Sequence, residues 1–239
     1  MNTSRSRNST PVEAHERIDP FLDGRLNIIQ SRSGYRFSID ALLLASFAGV
    51  RRGDLVVDLG TGCGIIPLVL LCSSEAGRVI GLEIQDGLAH QACRNARLNG
   101  LETRMFVVRG DLRRPPLRDG TFDLMVSNPP YRKAKSGRIN PDRERAIARH
   151  EIQACLDDVL QAARILLKKK GRLAVIYPAE RSSDMLIRMR GAGLEPKRLQ
   201  FVYPELESEA GLVLVEGVMG GRPGLKVLPP IVDQGEYSL

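Results

Sequence analysis

A glycine-rich segment that follows an apolar stretch is the first place where residue types and spacing predict a ligand site. It runs from Asp58 to Gly64 (DLGTGCG), at the end of the apolar residues 55–59. Glycines at 60, 62 and 64 allow the backbone to turn tightly and to approach a ligand closely. A helix that begins after the last glycine offers free N–H groups and a positive dipole end. The segment therefore predicts a nucleotide-type site.

Two more acidic residues are spaced as the ends of the next two strands. Glu83 ends RVIGLE, where an acid can accept hydrogen bonds from both ribose hydroxyls. Asp111 follows MFVVRG and can accept a hydrogen bond from an adenine amino group. Because parallel strands end at the same edge of a sheet, Asp58, Glu83 and Asp111 are expected to converge on one crevice.

A dinucleotide site and an ordinary tight turn are the alternatives for the glycine segment. The dinucleotide pattern is G-x-G-x-x-G, and here the third glycine comes one residue early. Asp58 also lies two positions before the first glycine, where it would repel a pyrophosphate. It would attract a sulfonium ligand that carries an α-amino group. We therefore expect S-adenosylmethionine, with contacts from Asp58, Gly60, Thr61, Gly62, Gly64, Glu83 and Asp111.

The tetrapeptide Asn128-Pro129-Pro130-Tyr131 follows the apolar residues 122–127 and could promote methylation of an amino group on a π system. Such a nitrogen is a poor nucleophile because its lone pair is delocalised. The side-chain carbonyl of Asn128 and the main-chain carbonyl of Pro129 can accept hydrogen bonds from its two N–H groups. The prolines restrict the backbone and so keep both carbonyls pointed at the nitrogen. Tyr131 can stack on a planar base or amide. Positioning would suffice, without a metal or covalent intermediate; the alternative is a proline-rich turn.

Short apolar strands alternate with helices, which predicts βαβ units and a parallel sheet covered on both faces. Strands are expected at 26–30, 35–39, 55–59, 78–83, 105–110, 122–127, 172–177 and 211–218. The first two would form a hairpin. Helices are expected at 41–50, 64–75, 86–99, 150–169 and 180–191. Ser38 or Asp40 would cap the first helix, and Lys168 to Lys170 would end the fourth.

Length and composition predict one globular domain. The chain has 239 residues, a net charge of +7 and 43% hydrophobic residues. It has no apolar run long enough to span a membrane. Its four cysteines lack a CxxC pattern, which favours a reducing cytoplasm over a zinc or disulfide site. We expect a monomer with a leader (1–17), an N-terminal extension (18–52), a Rossmann-like core (53–220) and a tail (221–239).

Together these motifs resemble class I S-adenosylmethionine-dependent methyltransferases with an NPPY motif, and more narrowly the bacterial tRNA1(Val) adenine-37 N6-methyltransferases. The resemblance covers about residues 19–235. Its segments are IIQSRSGYRFSIDALLLASFA, DLGTGCG, GLEIQ, NARLNGL, SNPPYRK, INPDRERAIARHE and PGLKVLPPIV.

The resemblance implies an α/β fold with a mostly parallel seven-stranded sheet, helices on both faces and an antiparallel late strand. It also implies a tRNA substrate and the tetrapeptide as catalytic residues. Further cofactor contacts would come from Phe37, Asp40, Ile84, Leu112 and Asn128. For Phe37 and Asp40, packing and helix capping are equally open.

A basic segment follows the tetrapeptide. Residues 132–149 contain seven Lys and Arg against two acidic residues. Phosphate contacts would come from Arg132, Lys133, Lys135, Arg138 and Arg149. An ordinary solvated loop is the alternative.

Other functions use the same motifs. A glutamine N5-methyltransferase acting on release factors carries the same tetrapeptide but has a helical domain before the glycine segment, where this chain has 57 residues that read as strands and one helix. Guanine N2 methylation of ribosomal RNA is also open. A non-catalytic RNA-binding module is a further alternative, although it would be favoured only by the loss of Asn128 or the cofactor acids.

Overall fold

A computed structural model describes residues 10–32, 39–129 and 156–232 of the chain. The strands are β1 (Glu16–Phe21), β2 (Leu26–Ser31), β3 (Leu55–Leu59), β4 (Arg78–Glu83), β5 (Met105–Arg109), β6 (Phe122–Ser127), β7 (Leu167–Pro178), β8 (Leu194–Tyr203), β9 (Leu212–Met219), β10 (Lys226–Val227) and β11 (Ile231–Val232). The α-helices are α1 (Ile39–Phe47), α2 (Ile65–Ser73), α3 (Asp86–Leu98), α4 (Leu156–Leu166) and α5 (Ser182–Gly191). A 3₁₀ turn at Ala179–Arg181 precedes α5.

The predicted mostly parallel sheet is confirmed. Its strands follow the order β10-β8-β9-β7-β6-β3-β4-β5, and β11 also pairs with β8. Strands β3 to β7 are parallel to one another, whereas β9 lies antiparallel between β7 and β8. The seven longer strands β3 to β9 match the expected sheet and its antiparallel late strand. The two-residue strands β10 and β11 pair with β8 and extend the sheet beyond that strand.

Helices cover both faces of this sheet, which explains the nearly continuous apolar strands. Val56 packs into the core formed with α1, α2 and α3. Its neighbour Val57 packs into the opposite core, which contains α4 and α5. Successive side chains of a strand point to opposite faces, so each strand buried on both sides requires apolar residues at consecutive positions.

The N-terminal hairpin lies earlier in the chain than expected. Strand β2 confirms the prediction at 26–30, but its antiparallel partner is β1. Residues 35–38 of the strand expected at 35–39 lie outside the described residues, and Ile39 begins α1. Asp40 is therefore in the first turn of α1 rather than at its cap. Glu16 and Arg17, which were expected to belong to the leader, are part of β1.

A buried ion pair attaches this hairpin to α3. Arg94 Nη2 lies 2.6 Å from Glu16 Oε1, and Gln91 donates to the same carboxylate. The hydrogen bond from Arg94 lowers the pKa of Glu16 to about 2. This contact is long-range, so the local pattern around Glu16 does not reveal it.

The helix expected at 150–169 ends sooner, and its predicted lysine cap is wrong. Helix α4 ends at Leu166 and the chain continues as β7. The N–H groups of Gly120 and Thr121 donate to the carbonyls of Ile165 and Leu166 at 2.9 Å. These bonds join the end of α4 to the residues just before β6, where the chain enters the sheet as β7. Lys168 bonds to Asp123 at 2.7 Å instead of capping a helix.

Strand β8 was not expected from the sequence. Apolar and polar residues are mixed along it without a regular period (LEPKRLQFVY), and only four of its ten residues are buried. In contrast, β3, β4 and β6 coincide with the predicted strands. Within the described residues, no helix is long and apolar enough to cross a membrane.

Candidate functional site

The predicted ligand residues that the structure describes meet at the edge where the parallel strands end. Leu59 at the end of β3 pairs with Leu82 of β4 and with Ser127 of β6. The glycine loop, defined as residues 60–64, therefore begins between the ends of these two neighbouring strands. The arrangement places this loop between Glu83 and Asn128.

The glycine loop is open on one side and closely packed at its end. Gly60, Gly62 and Gly64 all have positive φ angles, of 75°, 57° and 86°. A Cβ added at Gly60 or Gly62 would meet nothing within 4 Å. At Gly64 it would lie 2.5 Å from Met105 Cε and 3.1 Å from Ala92 Cβ. The first two glycines thus leave space for a ligand, and the third permits α2 to pack against α3 and β5.

Glu83 is buried, and backbone donors orient its carboxylate. The N–H of Gly62 lies 2.8 Å from Oε2, and the N–H of Gln85 lies 2.9 Å from Oε1. An ionised carboxylate has about four acceptor positions, so both oxygens keep capacity for further donors. The carboxylate could therefore accept two hydroxyl groups while it also holds the glycine loop.

The carboxylate of Asp58 and the hydroxyl of Thr61 are buried beside each other. Within the part of the chain that the structure describes, neither side chain has a hydrogen-bond partner on any other residue. Burial raises the pKa of Asp58 to about 7, and the nearby carboxylate of Glu83 adds to this rise. Buried polar atoms usually have partners, so these residues fit a bound group that supplies donors or a positive charge.

Asp111 already has a partner in the structure. Arg113 Nη2 lies 2.6 Å from Oδ2, and the N–H of Arg113 bonds to Oδ1 at 2.9 Å. The hydrogen bond from Arg113 lowers the pKa of Asp111. Asp111 is thus an ionised acceptor at this edge, and an adenine amino group would share it with Arg113.

Two apolar residues flank these acids. Ile84 is 41% exposed directly after Glu83, which leaves an apolar surface beside the site. Leu112 is partly buried and packs against the core on the α4 side of the sheet. Ile84 is therefore positioned to contact a flat ring, whereas Leu112 also has a packing role.

The start of the tetrapeptide lies at the same edge of the sheet. Asn128 is half-buried directly after β6, and Pro129 is buried. Because Ser127 pairs with Leu59, Asn128 follows β6 where Gly60 follows β3. Asp40 lies in the first turn of α1, which packs against α2, the helix that follows the glycine loop. Phe37, Pro130, Tyr131, Arg132, Lys133, Lys135, Arg138 and Arg149 lie outside the described residues.

Asn95 is a buried residue at this site to which sequence reasoning assigned no role. It lies within α3, is fully buried, and bonds to the carbonyl of Cys63 in the glycine loop at 2.9 Å. Asparagine is unfavourable inside helices. Its presence in the segment NARLNGL is the signal that could have identified it.

Comparisons with known proteins show the family to which the chain belongs. Residues 37–190 match the family described as "Methyltransferase small domain". A tRNA1(Val) (adenine(37)-N6)-methyltransferase of Porphyromonas gingivalis is 34% identical over 206 residues, which are 83% of this chain and 80% of that protein. The protein of the same name from Tolumonas auensis is 30% identical, over 71% of this chain and 70% of its own.

Solved structures show the same fold. A predicted O-methyltransferase from Agrobacterium tumefaciens has a TM-score of 0.65 at 22% identity, with coverage of 82% of this chain and 88% of its own. A geranyl diphosphate methyltransferase in complex with sinefungin has a TM-score of 0.56 at 17% identity, with coverage of 75% and 77%. At these identities the likeness concerns the fold alone.

Proposed function

Since this chain belongs to the methyltransferase small domain family and is an S-adenosylmethionine-dependent methyltransferase, we propose that it methylates N6 of an adenine in tRNA, at position 37 of tRNA1(Val). The observation that carries the proposal is the position of Asn128 and Pro129, beside the glycine loop at the end of β6. The names of the relatives support the choice of substrate. We further propose that it acts as a monomer in the cytoplasm.

The cofactor would lie along the ends of β3, β4 and β5. When bound, S-adenosylmethionine supplies an electrophilic methyl group. Glu83 would accept the ribose hydroxyls, and Asp111 the adenine amino group, with Ile84 against the ring. The amino group at the methionine end of the cofactor would donate hydrogen bonds to the buried oxygens of Asp58 and Thr61. Phe37 and Asp40 would complete the cofactor contacts.

The amino group of the target base would lie at Asn128. Its two N–H groups would donate to the side-chain carbonyl of Asn128 and the main-chain carbonyl of Pro129. These acceptors favour a tetrahedral nitrogen, whose lone pair is free to attack. Tyr131 would stack on the base. A base in an anticodon loop is already unpaired, so its extrusion costs less than flipping a base from a duplex.

RNA phosphates would contact the basic segment at 132–149. Neutralising Arg132, Lys133 and Lys135 together is expected to weaken tRNA binding about a hundredfold near 0.1 M salt, because three cations that displace counterions are lost. The plot of log affinity against log salt should become less steep by about 2. Filter-binding titrations would measure this slope. An unchanged slope would show that these three side chains do not contact RNA phosphates and that the segment is an ordinary solvated loop. Cofactor affinity is the internal control.

The affinity for S-adenosylmethionine should depend on pH through Asp58. With a pKa near 7, the carboxyl group is largely neutral at pH 6 and ionised at pH 8. Only the ionised form attracts a cationic ligand, so affinity should rise with pH across this interval, by about tenfold at most. Calorimetry of the wild type and of Asp58→Asn would measure it. Equal pH dependence in both proteins would exclude Asp58 as the cause.

The substrate is tested by nucleoside mass spectrometry of total tRNA, and separately of ribosomal RNA, from cells with and without the gene. We expect loss of N6-methyladenosine in the deletion strain and its return when the wild-type gene is restored. A gene encoding Asn128→Ala should not restore it. Unchanged N6-methyladenosine would contradict the proposal, and a change in a methylated guanine of ribosomal RNA would identify the alternative substrate.

A further inference from the structure

Asn95 connects three segments of the chain through one buried amide. Its Nδ2 donates to the carbonyl of Cys63 at 2.9 Å and to the carbonyl of Ile29 at 3.1 Å. Its Oδ1 accepts the N–H of Ile29 at 2.6 Å. The side chain thus joins α3, strand β2 of the hairpin and the glycine loop. The two contacts with Ile29 are buried and the contact with Cys63 is partly buried, so water compensates poorly for their loss.

Asn99 makes the same reciprocal pair with the hairpin but does not share the contact with the loop. Its Oδ1 accepts the N–H of Asn27 at 2.8 Å, and its Nδ2 donates to the carbonyl of Asn27 at 2.7 Å. Positions four apart lie on the same face of a helix. The two amides therefore bind alternate residues of β2, as a neighbouring strand would. Asn99 is therefore a control residue that bonds to the same hairpin, through contacts that are exposed where those of Asn95 with Ile29 are buried.

The bond to Cys63 restrains the glycine loop where it is most flexible. Cys63 lies between two glycines, whose backbones have the widest conformational freedom. Glu83 holds the N–H of Gly62, and Asn95 holds the next carbonyl along the chain. At Gly60 and Gly62 the positions of an added Cβ are open. The loop is thus held by side chains of α3 and β4 while its glycines stay accessible.

We propose that Asn95 is a positioning residue for S-adenosylmethionine, which sets the glycine loop in its binding conformation before the cofactor arrives. The proposal rests on the cofactor site proposed above. A preorganised loop avoids an ordering cost at binding, so removing the restraint should weaken affinity without removing a direct ligand contact. The same side chain should transmit cofactor binding to β2.

The test compares Asn95→Asp with Asn99→Asp by calorimetry with S-adenosylhomocysteine. In each variant the carboxylate can still accept the N–H from β2 but can no longer donate. Asn95→Asp loses the hydrogen bonds that Nδ2 donates to Ile29 and to Cys63. We expect about tenfold weaker binding for this variant, the effect of the one hydrogen bond that holds the glycine loop, and binding within about twofold of the wild type for Asn99→Asp. Thermal unfolding of both variants would separate affinity from stability. Equal affinities of the two folded variants would overturn the proposal.

Hydrogen exchange in the wild type tests the same connection without a substitution, and decides the matter if Asn95→Asp does not fold. S-adenosylhomocysteine should slow exchange of the Ile29 amide, which bonds to Asn95, more than exchange of the Asn27 amide, which bonds to Asn99. Equal effects on the two amides would contradict the proposal. Failure of the wild type to bind S-adenosylhomocysteine would instead reject the proposed cofactor site.

Discussion

Replacing Asn128 with alanine is expected to slow methyl transfer at least a hundredfold. The amide oxygen should matter most as the target nitrogen becomes tetrahedral, so its loss should appear in kcat rather than in binding. By analogy with oxyanion-hole donors, removing one oriented partner costs about 10²–10³ in rate, or ~2.7–4 kcal/mol. Single-turnover methyl transfer to tRNA would measure the chemical step directly.

The same variant supplies its own binding controls. Asn128→Ala should bind S-adenosylmethionine and tRNA nearly as the wild type does, and it should unfold at a similar temperature. Asn128→Asp keeps an acceptor oxygen and should retain more of the rate than the alanine variant. Tyr131→Ala should differ from both, because lost stacking affects capture of the base as well as its reaction. A rate for Asn128→Ala within a few-fold of the wild type would show that the tetrapeptide is a structural turn without a catalytic role.

Replacing Glu83 with alanine is expected to weaken S-adenosylmethionine binding about tenfold to hundredfold. A charge-assisted pair of hydrogen bonds to the ribose contributes about 1.5–3 kcal/mol. The variant also releases the N–H groups of Gly62 and Gln85, so the glycine loop loses one of its restraints. Calorimetry would measure the affinity. The affinity of Glu83→Gln should lie between those of the wild type and Glu83→Ala, because glutamine keeps one acceptor oxygen.

Asp86→Ala is the matched control for Glu83. Asp86 lies three residues later in the same chain segment, is exposed, and pairs with Arg109 at 2.9 Å. Its removal changes the charge near the site by the same amount but takes away no acceptor at the loop. Binding within about twofold of the wild type is expected, since exposed ion pairs contribute little. If the two alanine variants bind equally well, Glu83 does not contact the cofactor.

The core of the sheet was predictable because its strands carry a local signal. Each strand buried on both faces must be apolar at consecutive positions. Gly60 follows β3, Glu83 ends β4 and Asn128 follows β6, so polar residues and glycine mark these strand ends. LVVDL at 55–59 and FDLMVS at 122–127 therefore coincide with β3 and β6. Strand β8 lacks this run of apolar residues, since polar residues interrupt it and only some of its residues are buried.

The candidate site was predictable to a similar degree, because its residues follow those strands directly. Once the strands are parallel and adjacent, Asp58, Glu83, Asp111 and Asn128 must lie at the same edge. The sequence does not indicate that Arg113 shares Asp111, or that backbone donors orient Glu83. Both depend on how short loops fold at the ends of strands.

The sequence by itself determined the parallel strands and the chemistry at their ends, because hydrophobic runs, glycine spacing and acidic residues act locally. Only the tertiary structure decided that Glu16 belongs to a hairpin held by Arg94, and that Lys168 lies in a strand rather than at a helix end. It alone revealed that Asn95 reaches both Ile29 and Cys63, 66 and 32 residues away in sequence. These contacts join distant segments, so their partners are not encoded in any local pattern of residues.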